Sequence, residues 1–273
     1  MADPIGEPDS SSASDWTIRF VGYHPVDDRV DERLRRVCEE IHKVPASALH
    51  VDEEARLVTV DYSQVRGWFE ATRQFVHSTR VGDRLVVKPP WEQYEPSADD
   101  IVVEIEPGGV FGSGLHETTQ VSLQALEKHL QPGGSVIDFG TGSGVLAIAA
   151  AKLGASRVIA FDISPEAVET ARANVLRNGI ENLIEVFHAE DSSFIESEAD
   201  LVIANVTQPV IVGNSQAFAK LLKTGGRLIV AGVCSAHAGL IEESLHNAGF
   251  EVDDRLAQGD WIAIAATKKP VTG

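Results

Sequence analysis

The residues with the clearest chemical potential lie between Val136 and Gly144, V-I-D-F-G-T-G-S-G. Three glycines, Gly140, Gly142 and Gly144, stand at every second position after an apolar run broken only by Asp138. Glycine belongs where the backbone takes unusual φ/ψ or where a ligand must come within contact distance. Val145 to Leu153 follows, apolar and alanine-rich apart from Lys152. This is the pattern of a buried strand, a tight turn and a helix packed back on the strand. The first N–H groups of such a helix face whatever sits above the strand end, which suits a nucleotide-like ligand. A second acid, Asp162, ends the strand-like run that begins at Arg157. There its two oxygens can accept from both hydroxyls of a ribose. An acid so placed serves NAD equally well and does not choose the ligand.

Spacing does choose. The dinucleotide fingerprint G-x-G-x-x-G/A needs a third small residue so that the helix can approach the strand. Counted from Gly140 and Gly142, that position holds Val145. The pattern D-x-G-x-G-x-G, starting at Asp138, instead resembles the first motif of class I S-adenosylmethionine (AdoMet) methyltransferases. A purely structural glycine turn would not need the turn, the acid and the helix in this register.

Around this motif the chain alternates strands and helices, the signature of a doubly wound parallel α/β sheet. Ile101 to Ile105 is expected as an edge strand. The loop F-G-S-G-L-H-E-T-T, rich in hydrogen-bonding groups, then leads to a helix over Gln120 to Leu130. Ser164 and Pro165 start a helix that Gly179 stops. Further strands are expected over Ile184 to Phe187, Asp200 to Ala204 with Asn205 at its end, and Gly226 to Ala231. A helix from about His237 to Gly249 follows. Phe250 to Leu256 and Trp261 to Ala266 form a closing hairpin, the ending of a seven-stranded, Rossmann-like class I methyltransferase sheet.

Ahead of this domain, Thr17 to Tyr23, a helix capped by Asp27 or Asp28, a hairpin around D-E-E-A, a helix over Val65 to His77 and a strand over Arg84 to Lys88 suggest a small α+β, ferredoxin-like domain. The expected organisation is a disordered tail over 1–15, a small recognition domain over 16–88, a prolyl linker over 89–100 and the catalytic domain over 101–273.

The chain has 273 residues, 43% apolar and 23% charged, as expected of a globular protein. A net charge of −18 argues against direct binding of nucleic acid and favours a basic protein partner. The same charge can serve solubility alone. No apolar run reaches the roughly 18 residues of a membrane span, and the acidic, serine-rich start resembles neither a secretion signal nor a transit peptide. A cytoplasmic monomer is the expectation. Cys38 and Cys234 are read as buried free thiols of a reducing compartment. The nine histidines show no ligand spacing, so no metal site is expected.

With F-G-S-G-L-H-E-T-T, D-F-G-T-G-S-G, Asp162, A-N-V at 204–206 and the stretches G-W-F-E-A-T and K-P-P-W-E, the chain resembles the ribosomal protein L-eleven methyltransferase family over about residues 66–267. The resemblance implies AdoMet as cofactor and methylation of lysine side chains or the N-terminal amine of a large-subunit ribosomal protein. It places the AdoMet contacts on Thr119, Gly140, Asp162 and Asn205, with Gly142 and Gly144 in the same turn. Glu190 or Asp191 is a candidate for the adenine amino group, and the sequence does not decide between them. Asn205 is also the candidate for orienting the attacking amine, while His116 is read as a loop histidine bonded to backbone. A related protein-lysine methyltransferase with a non-ribosomal target stays open as the alternative.

Overall fold

A strand hydrogen-bonded on both sides and covered on both faces has no polar side to show, and V-I-D-F fits this pattern apart from the buried Asp138. In the computed structural model, which describes residues 76–106, 112 and 116–270, Ser135–Phe139 forms β4 at the centre of a seven-stranded sheet. The chain divides into two units, Met1–Ser63 and Gln64–Gly273, and every described residue belongs to the second. The elements expected between residues 17 and 75, and Cys38, lie outside the described residues.

The other strands of the sheet are β5 (Arg157–Asp162), β6 (Ile184–His188), β7 (Ala199–Asn205), β8 (Leu222–Cys234), β9 (Phe250–Gln258) and β10 (Trp261–Lys268). Their order is β6-β5-β4-β7-β8-β10-β9. The first five in this order run parallel, and β10 is antiparallel to both β8 and β9. From β4 the chain winds outward through β5 and β6, then crosses back to β7 on the other side. The crevice above the carboxyl ends of β4 and β7 is therefore the topological switch point, where open α/β sheets bind ligands.

Among the described residues five α-helices cover the sheet: α1 (Glu117–His129), α2 (Val145–Lys152), α3 (Pro165–Arg177), α4 (Gln208–Leu221) and α5 (Ala238–Asn247). Alternate sheet residues feed two hydrophobic clusters. Val136, Leu201, Ile203 and Ile229 face α1, α2 and α3, whereas Ile137, Val202, Leu228 and Val230 face α4 and α5. Helix α2 is buried from Val145 to Ala151, which explains why it lacks a polar face and is built from small residues. Helix α3 starts as its sequence dictates: Ser164 accepts the Ala167 N–H at 3.3 Å, and Pro165 occupies the first turn.

Two strand assignments and one helix start need adjustment. Ile101–Glu104 (β3) lies outside the large sheet and pairs in parallel with β2 (Leu85–Lys88), which pairs in turn with β1 (Thr79–Val81). Val81, Leu85, Val87 and Val103 join the hydrophobic cluster of α1 and α2, so burial decides the placement of these strands. Strand β8 begins at Leu222, before Gly226, and α1 begins at Glu117, before Gln120. Cys234 is a free thiol at the end of β8 and is half-buried rather than buried.

Candidate functional site

The site grows from the glycine turn after β4. Gly140, Gly142 and Gly144 have φ of 75°, 55° and 85°, the left-handed region that other residues enter only at a cost. Gly140 also has no room for a side chain: a Cβ there would lie 2.7 Å from Cγ1 of Val206, just past β7. The turn is held to the neighbouring strand by two bonds, Gly140 N–H and Thr141 N–H both donating to the Phe161 carbonyl at 3.0 Å.

Asp162 ends β5 beside this turn. Its Oδ2 accepts the Gly142 N–H and its Oδ1 accepts the Ser164 N–H, each at 2.9 Å. Each oxygen thus has one backbone partner and retains lone-pair capacity for a ligand hydroxyl. Asn205 ends β7 on the other side of β4, and its Oδ1 is buried with no hydrogen-bond partner among the described residues. A Cβ on Gly232 of β8 would collide with the Val206 carbonyl oxygen and sit 3.0 Å from the Asn205 amide oxygen, so glycine is needed where β8 passes the end of β7. An orphaned buried carbonyl oxygen at a switch point has the character of an acceptor awaiting a donor.

Thr119 falls in the first turn of α1, fully buried, with Oγ1 likewise unpartnered among the described residues. The helix starts earlier than expected because His116 caps it, its Nδ1 accepting the Thr118 N–H at 3.2 Å. The backbone-bonding role read for His116 from the sequence is thus what its Nδ1 performs. The ring also meets Trp261 edge-on at 5.2 Å, joining the start of α1 to the closing hairpin. Asp162 and the three glycines come together directly, and Asn205 reaches the turn through Val206. No hydrogen bond among the described residues ties the Thr119 side chain to the turn.

Glu190 and Asp191 follow β6, both exposed. Asp191 Oδ1 accepts the Ser193 N–H at 2.8 Å, so part of its capacity is used locally. Sequence reasoning passed over Ile163, directly after Asp162, which is 67% exposed at this end of the sheet. Phe194 is 38% exposed and edge-on at 5.5 Å to Phe161, two residues before Ile163. The available signal was an apolar residue placed after a strand-ending acid, where a solvated turn would favour a polar one.

Asp138 underlies the turn. It is wholly buried, and its Oδ2 accepts from Thr141 Oγ1 (2.7 Å) and from the Ala147 N–H (3.1 Å). Desolvation outweighs these two bonds, which favour the ionised form, and raises its pKa from the usual 3.8 to about 7. A carboxyl raised in this way binds its proton more tightly folded than unfolded. Its contribution to stability is therefore present below pH 3.8 and is lost as pH rises to about 7. The full displacement corresponds to roughly 4 kcal/mol. Asp138→Asn keeps an acceptor for Thr141 and removes the charge. It should raise the Tm at pH 8 and flatten the fall of Tm between pH 4 and 7. A variant whose Tm declines across that window as steeply as the parent's would show that Asp138 is not the titrating group.

The family described as ribosomal protein L11 methyltransferase (PrmA) matches residues 9–269 of the chain. The chain belongs to this family. A ribosomal protein L11 methyltransferase of Pelotomaculum thermopropionicum is 41% identical over 262 residues, covering 95% of this chain and 82% of the relative. One from Bacillus cereus (strain B4264) is 37% identical over 260 residues, with the same coverage of 95% and 82%. The crystal structure of a ribosomal protein L11 methylase from Lactobacillus delbrueckii subsp. bulgaricus superposes with a TM-score of 0.67 at 32% identity. That match covers 71% of this chain and 100% of the other. The seven-stranded sheet with its inserted antiparallel strand is accordingly the class I methyltransferase fold expected from the sequence, and the chain is a methyltransferase.

Proposed function

We propose that the protein transfers methyl groups from AdoMet to amino groups of ribosomal protein L11, lysine side chains foremost. The observation that carries this reading is the arrangement at the switch point: a turn of three left-handed glycines, a carboxylate beside it and the orphaned Asn205 oxygen opposite. These residues fit AdoMet. Asp162 accepts the two ribose hydroxyls, the turn lets the backbone approach the ligand closely, and Thr119 Oγ1 provides a buried polar contact. Ile163 offers an apolar face to the purine, with Glu190 or Asp191 for its amino group.

AdoMet supplies a methyl group made electrophilic by its sulfonium. The protein has two tasks, to align an amine with that methyl and to exclude water. Asn205 Oδ1 accepts an N–H of the amine and aims its lone pair. The amine must be neutral, and for a lysine of pKa about 10.4 this costs roughly 4 kcal/mol at neutral pH. Burial beside a positive centre opposes the ammonium form through desolvation and like charge, so the site lowers this cost without a dedicated base.

Recognition of the folded substrate is assigned to the N-terminal part of the chain, and the charge of −18 suits a basic protein rather than nucleic acid. No helix of the described residues is long and apolar enough to cross a membrane; in this reading the protein works as a monomer in the cytoplasm. A fragment that keeps the sheet must begin near Gln64, because β2 pairs with β3 across the prolyl segment 89–100. Such a fragment should bind AdoMet like the full chain yet lose most methylation of folded L11, since positioning contributes up to about 7–11 kcal/mol in favourable cases. Equal methylation rates for fragment and full chain would remove the recognition role. The cofactor is tested by calorimetric titration: AdoMet and S-adenosylhomocysteine should bind saturably, and saturable NADH binding without AdoMet binding would refute the reading.

A further inference from the structure

Asn174 and Asn178 stand one turn apart on or next to α3, and each uses its carboxamide as a neighbouring strand would use a peptide group. Asn178 Oδ1 accepts the Glu104 N–H (3.1 Å), and its Nδ2 donates to the Glu104 carbonyl (2.7 Å). Asn174 repeats the pattern on Glu106, with Oδ1 accepting at 3.0 Å and Nδ2 donating at 3.2 Å. Asn174 then goes further, because its Nδ2 also donates to the carbonyl of Ser143 at 3.0 Å, inside the glycine turn. The Ser143 hydroxyl in turn donates to the Gly112 carbonyl at 2.6 Å. Gly112 has a φ of 105°, and a Cβ there would lie 2.5 Å from Ser143 Oγ, so this contact requires glycine.

We propose that Asn174 is a positioning residue which, with Ser143, bolts the glycine turn to the chain at Glu106 and Gly112 and so fixes the turn's shape for AdoMet. A turn of three left-handed glycines has wide conformational freedom, and its shape must be imposed from outside. Asp162 fixes the Gly142 N–H and Asp138 fixes Thr141. Ser143, between Gly142 and Gly144, is fixed at its carbonyl by Asn174 and at its hydroxyl by Gly112. Asn174 is 1% exposed and Ser143 0%, so water cannot replace a lost partner. A binding site held rigid before the ligand arrives binds more tightly because less ordering remains to be done. Neither side chain needs to touch the cofactor for this effect. The inference rests on the AdoMet reading of the site.

Asn178 supplies the control, since it makes the same pair of bonds to Glu104, and one more to the Asn174 backbone carbonyl (2.8 Å), without reaching the turn. The test is S-adenosylhomocysteine titration and thermal unfolding of the full chain carrying Asn174→Ala, Ser143→Ala or Asn178→Ala. Asn174→Ala and Ser143→Ala should each raise Kd about tenfold, the effect of roughly one buried hydrogen bond. Asn178→Ala should lower Tm much as Asn174→Ala does while leaving Kd close to that of the intact chain. Ser143→Ala removes a single oxygen, so it decides the matter even if Asn174→Ala fails to fold. An unchanged Kd in folded Ser143→Ala, or a rise in Asn178→Ala equal to that in the other two, overturns the proposal. Failure of the intact chain to bind S-adenosylhomocysteine would instead overturn the AdoMet reading itself.

Discussion

Asn205→Ala is expected to cost on the order of a hundredfold in the rate of methyl transfer, the scale on which misplacing a reacting group by about an ångström acts. Affinity for AdoMet should fall far less. The expectation follows from the Asn205 oxygen, buried without a partner among the described residues at the carboxyl end of β7, across β4 from the Asp162 carboxylate. A buried acceptor left unsatisfied costs free energy in the folded protein, and it is tolerable where a ligand donor completes it. If that donor is the substrate amine, loss of the amide affects the reaction more than cofactor binding. Single-turnover methylation together with calorimetric Kd values separates the two effects. A folded variant that methylates at the parent's rate would take Asn205 out of the chemistry.

Asp162→Ala should show the opposite division, with cofactor binding carrying the loss. Two charge-assisted hydrogen bonds to ribose hydroxyls are worth roughly 1.5–3 kcal/mol each, so affinity should fall at least about a hundredfold. The carboxylate also secures the Gly142 N–H at 2.9 Å, so its removal loosens the turn as well as the ribose contact. The β5 strand that carries it is paired to β4 over Arg157–Phe161 and to β6 over Val158–Asp162, and the fold should survive. Calorimetry on a variant with native circular dichroism provides the check. An unchanged Kd would place the ribose elsewhere.

What could be read from the sequence follows from how local the signal is. The turn after β4 was legible because glycine, acid and alanine-rich helix each answer a separate physical demand within about a dozen residues. The α3 start was legible for the same reason, since Ser164 and Pro165 are a cap and a first-turn residue. The small sheet was not legible, because β3 pairs with β2 across the prolyl segment and its strands are ordinary apolar runs with no local mark of their partner. The start of α1 was missed because histidine is an uncommon cap, and only the geometry shows its ring accepting the Thr118 N–H. The glycine positions and Asp162 could be singled out by their register at strand ends, whereas Asn205 was named through the family resemblance and its place at the end of a strand. The Asn174 carboxamide could not, because an asparagine on a helix gives no sign that its partners, Glu106 and Ser143, lie 68 and 31 residues away.

Methyl transfer from AdoMet to ribosomal protein L11 can be measured directly. The purified full chain is incubated with methyl-labelled AdoMet and recombinant, unmethylated L11, and the product is digested and mapped by mass spectrometry. Label is expected on amino groups of L11, lysine side chains foremost, with the Asn205→Ala variant transferring about a hundredfold more slowly under the same conditions. An intact chain that binds AdoMet and leaves L11 unlabelled, while labelling a different protein of the same extract, would refute L11 as the substrate.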